Sequence, residues 1–131
     1  MDDVLGTALD PVLRDLSATC AVRATVGEET DFLGLGEDVV MVYASDGSGQ
    51  GVSVAAHQSA AEQVADVADQ VQDWAVEELC AQLEPAVWPE CPAHPDAHPL
   101  RAGVVEGVAV WSCPRTRRVV APIGELALPR P

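Results

Sequence analysis

Residues 59–83 form the longest periodic segment of this 131-residue chain, and they constrain the fold more than any other feature. Ser59 and Glu62 stand in the pattern SAAE, typical of a capping box that satisfies the first free backbone N–H groups of a helix. Apolar residues then recur at helical spacing, and polar residues fill the opposite face. The apolar positions are Val64, Val67, Ala68, Val71, Trp74, Ala75, Val76, Leu79, Cys80 and Leu83. The pattern predicts one long amphipathic helix that ends before Pro85.

Two further elements are predicted ahead of this helix. Residues 4–16 have apolar side chains at helical spacing and contain Pro11. Because proline removes a backbone hydrogen bond, we expect either a kinked helix or a restart with Asp10 as N-cap and Pro11 as first residue. Residues 20–29 follow with a pattern that indicates a strand.

Two β-hairpins are predicted from paired runs of β-forming residues. Residues 39–44 and 51–56 flank the glycine-rich stretch SDGSGQ, which is typical of a hairpin connection. Near the C-terminus, residues 107–114 (GVAVWSCP) and 117–126 (RRVVAPIGEL) flank the dipeptide RT. These runs predict a second antiparallel pair.

Metal-binding residue types are concentrated in residues 88–100, WPECPAHPDAHPL. Cys91, His94 and His98 fall within eight residues, although the chain has only four cysteines and three histidines. Cys113, in VWSCP, is a fourth candidate. Zinc favours tetrahedral sulfur and imidazole ligands, and two thiolates with two neutral imidazoles balance its charge. The spacing C-x2-H-x3-H-x14-C therefore predicts a zinc site formed by these four residues.

The motifs WPECPAH and VWSCP each place an apolar or tryptophan residue ahead of a Cys-Pro pair. They resemble a zinc-ribbon-like knuckle module over residues 88–123. The usual ribbon has two CxxC-type knuckles, whereas the first knuckle here is CxxH and Cys113 has no cysteine three residues on. Cys80 or His57 therefore stays open as an alternative to His98. The whole chain also resembles small uncharacterised proteins of high-G+C bacteria, and that resemblance implies no function.

The ligand set favours a structural ion over a catalytic one. Four protein ligands close the coordination sphere, whereas a catalytic zinc keeps a position open for water. The acids closest in sequence are Glu90 and Asp96, and neither belongs to an HExxH motif or to the HxE and PCxxC pattern of deaminases. Cys20, the remaining cysteine, is expected in the core.

The predicted architecture is α+β: a small antiparallel sheet packed on the long amphipathic helix, with a zinc-clipped C-terminal β-hairpin. A chain of this length can bury roughly two thirds of its unfolded surface, so residues 1–131 are expected to form a single domain. Within it we expect an α+β body in residues 1–84 and a proline-rich, zinc-binding hairpin subregion in residues 85–131. Trp74, Trp88 and Trp111 are candidates for packing these parts together.

Charge limits the classes of partner. The 21 acidic and seven basic residues give a formal net charge of −14. Residues 1–99 hold 19 acids and two arginines (−17), and residues 100–131 hold two acids and five arginines (+3). Such a field repels nucleic acid and anionic lipid, so neither is expected as a partner.

With no positively charged, apolar leader and no run of roughly 18 apolar residues, a cytoplasmic location is expected.

Three classes of function follow from these observations. The favoured one is a small acidic zinc-binding protein with a structural metal site, acting as a protein-interaction or adaptor module rather than as an enzyme. Its partner protein is unknown, and a basic protein is one candidate. The second class is a zinc-dependent hydrolase with an open metal position beside Glu90 or Asp96. The third is an acidic immunity or inhibitor protein that occupies the basic site of a toxin or a nucleic-acid enzyme.

Overall fold

The computed structural model describes residues 4–20, 22–27, 30–31, 38–55, 57–94 and 97–126. Its elements, in chain order, are α1 (Val4–Thr19), β1 (Thr25–Val26), β2 (Thr30–Asp31), β3 (Asp38–Tyr43), β4 (Gly49–Ser53), α2 (Ala60–Ala81), β5 (Arg101–Val105), β6 (Val108–Ser112) and β7 (Val119–Pro122). Within these ranges, antiparallel sheets and a long packed helix confirm the predicted α+β class. No helix of the described chain is long and apolar enough to cross a bilayer.

The first sheet is organised around β3. Strand β4 pairs with one edge of β3, and β1 and β2 both pair with the other edge. The pair β3–β4 confirms the hairpin predicted for residues 39–44 and 51–56. Of the strand predicted for residues 20–29, only Thr25–Val26 (β1) pair with another strand among the described residues, and residues 21, 28 and 29 lie outside them.

The second sheet has the strand order β5–β6–β7. Strands β6 and β7 form the hairpin predicted near the C-terminus, but β5 adds a third strand that the sequence pattern does not predict. Glu106 and Gly107 connect β5 to β6 with φ values of 50° and 79°, as a two-residue hairpin turn of type I′ requires. Gly103 interrupts the alternation of apolar and polar residues in β5. The extended conformation of this strand therefore depends on its pairing with β6.

Helix α1 continues through Pro11 without a restart. The alternative with Asp10 as N-cap is therefore wrong, and the helix reaches Thr19, three residues beyond the predicted end. Proline removes one backbone bond, but the apolar face on both sides of it is buried and keeps the helix in place. That face consists of Leu5, Ala8, Leu9, Val12 and Leu16.

Helix α2 begins and ends where the sequence predicts. The Ser59 side chain accepts a bond from the Glu62 N–H at 3.2 Å, and the Glu62 carboxylate accepts one from the Ser59 N–H at 2.9 Å. Both bonds of the capping box are thus present, and the helix ends before Pro85. α2 packs against α1 and against strands of both sheets, so it forms the centre of the core.

Two amide side chains, one half-buried and one buried, fix α2 to its neighbours. The Gln70 amide donates to the Ser53 carbonyl at 2.7 Å and accepts from the Ser53 N–H at 3.1 Å. It thereby pairs with the outer edge of β4 in the way that a neighbouring strand would. Gln63 donates to the Ala55 carbonyl at 3.2 Å. These bonds satisfy backbone groups that would otherwise be left unpaired beside the helix.

The end of α2 has a leucine where glycine is usual. The Glu84 N–H donates to the Leu79 carbonyl at 2.9 Å and the Leu83 N–H to the Cys80 carbonyl at 3.1 Å, as in a Schellman motif. Leu83 has a φ of 60°, and 94% of its surface is exposed. A left-handed conformation costs a non-glycine residue about 1–2 kcal/mol. No described residue covers this side chain enough to offset that cost.

Asp15 fastens α1 to the second sheet. This residue is only 1% exposed, and its Oδ2 accepts bonds from the Trp111 indole N–H at 2.8 Å and the Gly124 N–H at 2.6 Å. Its Oδ1 accepts the Leu126 N–H at 3.0 Å. Three donors therefore compensate for burying one carboxyl group. Arg14 adds a bond at 3.3 Å to the Gly124 carbonyl.

We expect Asp15→Asn to lower the free energy of unfolding by about 2–3 kcal/mol, because a buried donor left without an acceptor costs about 1–3 kcal/mol. Urea unfolding followed by tryptophan fluorescence measures the change. Asp10→Asn, at an exposed position of the same helix, is the control and should stay within about 0.5 kcal/mol of the parent protein. Similar losses in both variants would contradict the role given to Asp15.

Candidate metal centre

Residues 88–100, here called the metal loop, are closed at their base by backbone bonds. Glu90 and Pro99 form an isolated antiparallel bridge, and the Leu100 N–H donates to the Pro89 carbonyl at 2.7 Å. Gln72 of α2 donates to carbonyls on both sides of this base, at 3.1 Å to Trp88 and 2.6 Å to Leu100. The loop therefore leaves and re-enters the core at one fixed point.

Two buried tryptophans join the metal loop to β6. The rings of Trp88 and Trp111 pack edge to face, with centroids 5.6 Å apart and an interplanar angle of 74°. Both residues belong to the predicted subregion 85–131, so this contact lies within it. Each indole also bonds to α1: Trp88 donates to the Thr19 hydroxyl at 2.9 Å, and Trp111 donates to Asp15. The end of α1 thus fixes both segments that carry the cysteines.

Tight turns place the predicted ligands at the surface of this core. The His94 N–H donates to the Cys91 carbonyl at 3.0 Å, and the Ala97 N–H donates to the His94 carbonyl at 3.2 Å. Cys113 begins the turn between β6 and β7, where its carbonyl accepts the Arg117 N–H at 2.8 Å. Two segments far apart in sequence therefore present their side chains to one point.

The structure brings together all four residues that the sequence predicts as ligands. One sulfur or nitrogen atom from each of Cys91, His94, His98 and Cys113 lies within 4.8 Å of all the others. The two cysteines are buried, at 1% and 3% exposure, and both histidines are half-buried. The cysteines are thiols and are not joined by a disulfide. The cluster is thus able to hold a metal ion.

Four of the six separations between the ligand atoms are close to those of tetrahedral coordination, and the other two are at most 4.8 Å. His94 Nδ1 lies 3.1 Å from His98 Nε2 and 3.5 Å from Cys91 Sγ. Cys113 Sγ lies 3.7 Å from His94 Nδ1 and 3.9 Å from His98 Nε2. Typical zinc bond lengths at tetrahedral angles separate two nitrogens by about 3.3 Å and a nitrogen from a sulfur by about 3.5 Å. These four separations therefore suit a single ion of this size.

A backbone carbonyl sets the tautomer of His98. Its Nδ1 lies 3.1 Å from the Pro99 carbonyl oxygen, which can only accept a hydrogen bond, so Nδ1 carries the proton. Nε2 then has a free lone pair, and Nε2 is the atom that lies near His94 and Cys113. A ligating histidine commonly makes such a bond from its other ring nitrogen.

Local hydrogen bonds favour the thiolate of Cys113. Its pKa is lowered from an ordinary 9.0 to about 6, chiefly by a hydrogen bond from the Thr116 hydroxyl. The backbone N–H groups of Thr116 and Arg115 and the Cys91 side chain also lower the pKa, while burial opposes them. The Thr116 N–H lies 3.4 Å from Sγ. The thiolate is the form that binds metals, so this turn prepares Cys113 for coordination.

The other candidate residues lie outside the cluster. Cys80 is exposed near the end of α2, and His57 is exposed just ahead of Ser59. Neither joins the four-residue group, so the structure favours His98 over both alternatives. Cys20 packs against the core, as expected. Glu90 is exposed at the base of the loop, and Asp96 lies outside the described residues.

Several residues that support the cluster are not predicted from the sequence. Gln72, Thr116 and Asp15 contact the ligand-bearing segments, but each belongs to an ordinary pattern: a polar helix position, a turn and a helix interior. Only the placement of α1 and α2 against the loop gives these side chains their partners.

Comparison of this chain with protein-family models, with curated proteins and with solved structures gives no match.

We expect Thr116→Val to raise the pKa of Cys113 above about 6, because the hydroxyl bond that contributes most to lowering it is lost. Thr116→Ser retains a hydroxyl and should keep the pKa low. The measurement is the alkylation rate of Cys113 against pH in metal-free protein, resolved by peptide mass spectrometry, because only the thiolate reacts. An unchanged midpoint in the valine variant would contradict the role of Thr116.

Proposed function

We propose that the protein binds one zinc ion through Cys91, His94, His98 and Cys113, and that the ion is structural. The observation that carries this proposal is the convergence of two sulfur and two nitrogen atoms within 4.8 Å, with four of their six separations close to tetrahedral values. The bonds that orient His98 and Cys113 support it, because they leave ligand atoms in their metal-binding forms.

The ligand chemistry favours zinc over other common ions. A tetrahedral set of two sulfurs and two imidazoles suits zinc, whereas magnesium and calcium prefer oxygen ligands. The group contains no carboxylate among the described residues. Two thiolates and two neutral imidazoles also leave a zinc complex without net charge, which suits the buried position of both cysteines.

The position of the cluster supports a structural role. The ion would join the metal loop to the turn between β6 and β7, two segments that are otherwise held by the tryptophan pair and by bonds to the helices. Binding then contributes directly to folding, because the unfolded chain has no such site. With free zinc at a thousandfold excess over Kd, the native state gains about 4 kcal/mol.

Interaction with another protein is the activity most consistent with a closed metal site. Four ligands leave no open position for water, which a zinc hydrolase requires. Residues such as Asp66, Asp69 and Asp73 present an acidic surface along α2. Burial, followed by repulsion from Asp73 and Asp66, raises the pKa of Asp69, so a basic partner would relieve this repulsion. We propose that the protein acts as an interaction or adaptor module.

We expect tag-free protein, purified under reducing conditions without added metal, to carry about one zinc per chain in native mass spectrometry. Cys91→Ser and His98→Ala should each lose the ion and lower the thermal midpoint, because three remaining ligands no longer close the coordination sphere.

Matched controls are available for both substitutions. Cys80→Ser and His57→Ala change the same residue types outside the cluster and should keep one zinc per chain. A metal-free parent protein would refute the proposal. A His98→Ala variant that keeps zinc and full stability would instead indicate a three-ligand site with an open position.

A further inference from the structure

A cavity of about 350 Å³ lies beside the metal loop, between the C-terminal ends of α1 and α2 and strand β7. Its apolar lining includes Leu79, Trp88, Pro89, Val120 and Leu126. The volume falls within the range of about 300–1,000 Å³ that is usual for ligand pockets. Trp88 and Pro89 belong to the metal loop, so one wall of the cavity is held in place by the same bonds that position the ligands.

Two carboxyl groups stand at the rim of this cavity. Glu84 and Glu90 are exposed and belong to its lining, which contains no lysine, arginine or histidine. Within the described part of the chain, neither side chain forms an ion pair. A ligand that fills the apolar interior with one group and places a cation at the rim would therefore complement both parts of the site.

Leu83 lies next to the lining of the cavity along the chain. It directly precedes Glu84 and follows Leu79 by one helical turn, and both of those residues line the cavity. Its backbone has the left-handed conformation that favours glycine, and its side chain is almost completely exposed. The Schellman motif accounts for this backbone conformation, whereas no packing within the described chain requires a large apolar side chain at this position. Contact with a partner would give the exposed leucine a role.

We propose that the cavity, with Leu83 at its edge, binds an extended segment of a partner protein that carries a bulky apolar residue beside an arginine or lysine. The apolar residue enters the cavity, and the cation meets Glu84 and Glu90. The inference rests on the proposed structural metal site, because Pro89, Glu90 and Pro92 of the metal loop form part of the lining.

The test uses the full-length, zinc-loaded protein and a library of random displayed heptapeptides. We expect selected peptides to pair a bulky apolar residue with arginine or lysine. The Kd of one selected peptide is then measured by fluorescence anisotropy. Replacing both rim carboxylates, in the variant Glu84→Gln with Glu90→Gln, should weaken binding about tenfold.

Two variants separate local contacts from general effects. Asp10→Asn with Glu106→Gln removes the same charge from two exposed positions outside the lining of the cavity and should change Kd less than twofold. Leu83→Gly should weaken binding at least tenfold through lost apolar contact. It should also raise the thermal midpoint, because glycine adopts the left-handed conformation without strain. A loss of affinity with a gain of stability cannot be ascribed to misfolding.

The remaining outcomes overturn the inference in distinguishable ways. Failure to select any peptide while one zinc per chain is present would refute the docking site and leave the structural metal site standing. Equal weakening by the rim variant and by the Asp10 and Glu106 control variant would show attraction by net charge alone. A dimer in sedimentation that Leu83→Gly converts to a monomer would identify a second copy as the occupant. Absence of zinc would refute the proposed function itself.

Discussion

The buried carboxyl group of Asp15 is the interaction on which the arrangement of α1 and the second sheet depends. A carboxyl group removed from water is costly unless its oxygens accept hydrogen bonds, and here three N–H donors supply them. Those donors come from β6 and from the segment after β7. Because displacing either would leave buried polar groups unpaired, the bonds restrict how the helix and the sheet can pack.

The geometry of the candidate metal centre depends on this packing of α1 against the second sheet. Asp15 orients Trp111, two residues before Cys113, and Thr19 orients Trp88, three residues before Cys91. The edge-to-face contact of the two indoles then brings the cysteine-bearing segments together. The thiols converge because the core beneath them is ordered. A bound ion would strengthen a contact that the protein has already largely formed, which lowers the entropy lost on coordination.

Features that depend on residues close together in the sequence are predicted correctly. The capping box at Ser59, the apolar period of α2 and the glycine-rich connection between β3 and β4 are local signals, and each is confirmed. The close sequence spacing of Cys91, His94 and His98 is local too, since two short turns suffice to bring them together. At Pro11 the buried face of α1 outweighs the loss of one backbone bond, so the helix continues and the restart with Asp10 as N-cap does not form.

The sequence by itself determined the class of fold, the two helices and the residue types of a metal site, because periodicity, caps and ligand spacing act over a few residues. Tertiary structure decided which residues support that site. Strand β5, the acceptor role of Asp15 and the grouping of His98, rather than Cys80 or His57, with the other candidate ligands all depend on contacts between distant segments. Such contacts form because unpaired polar groups are costly to bury and apolar groups are costly to expose to water. The order of residues along the chain does not show which distant residue will be the partner.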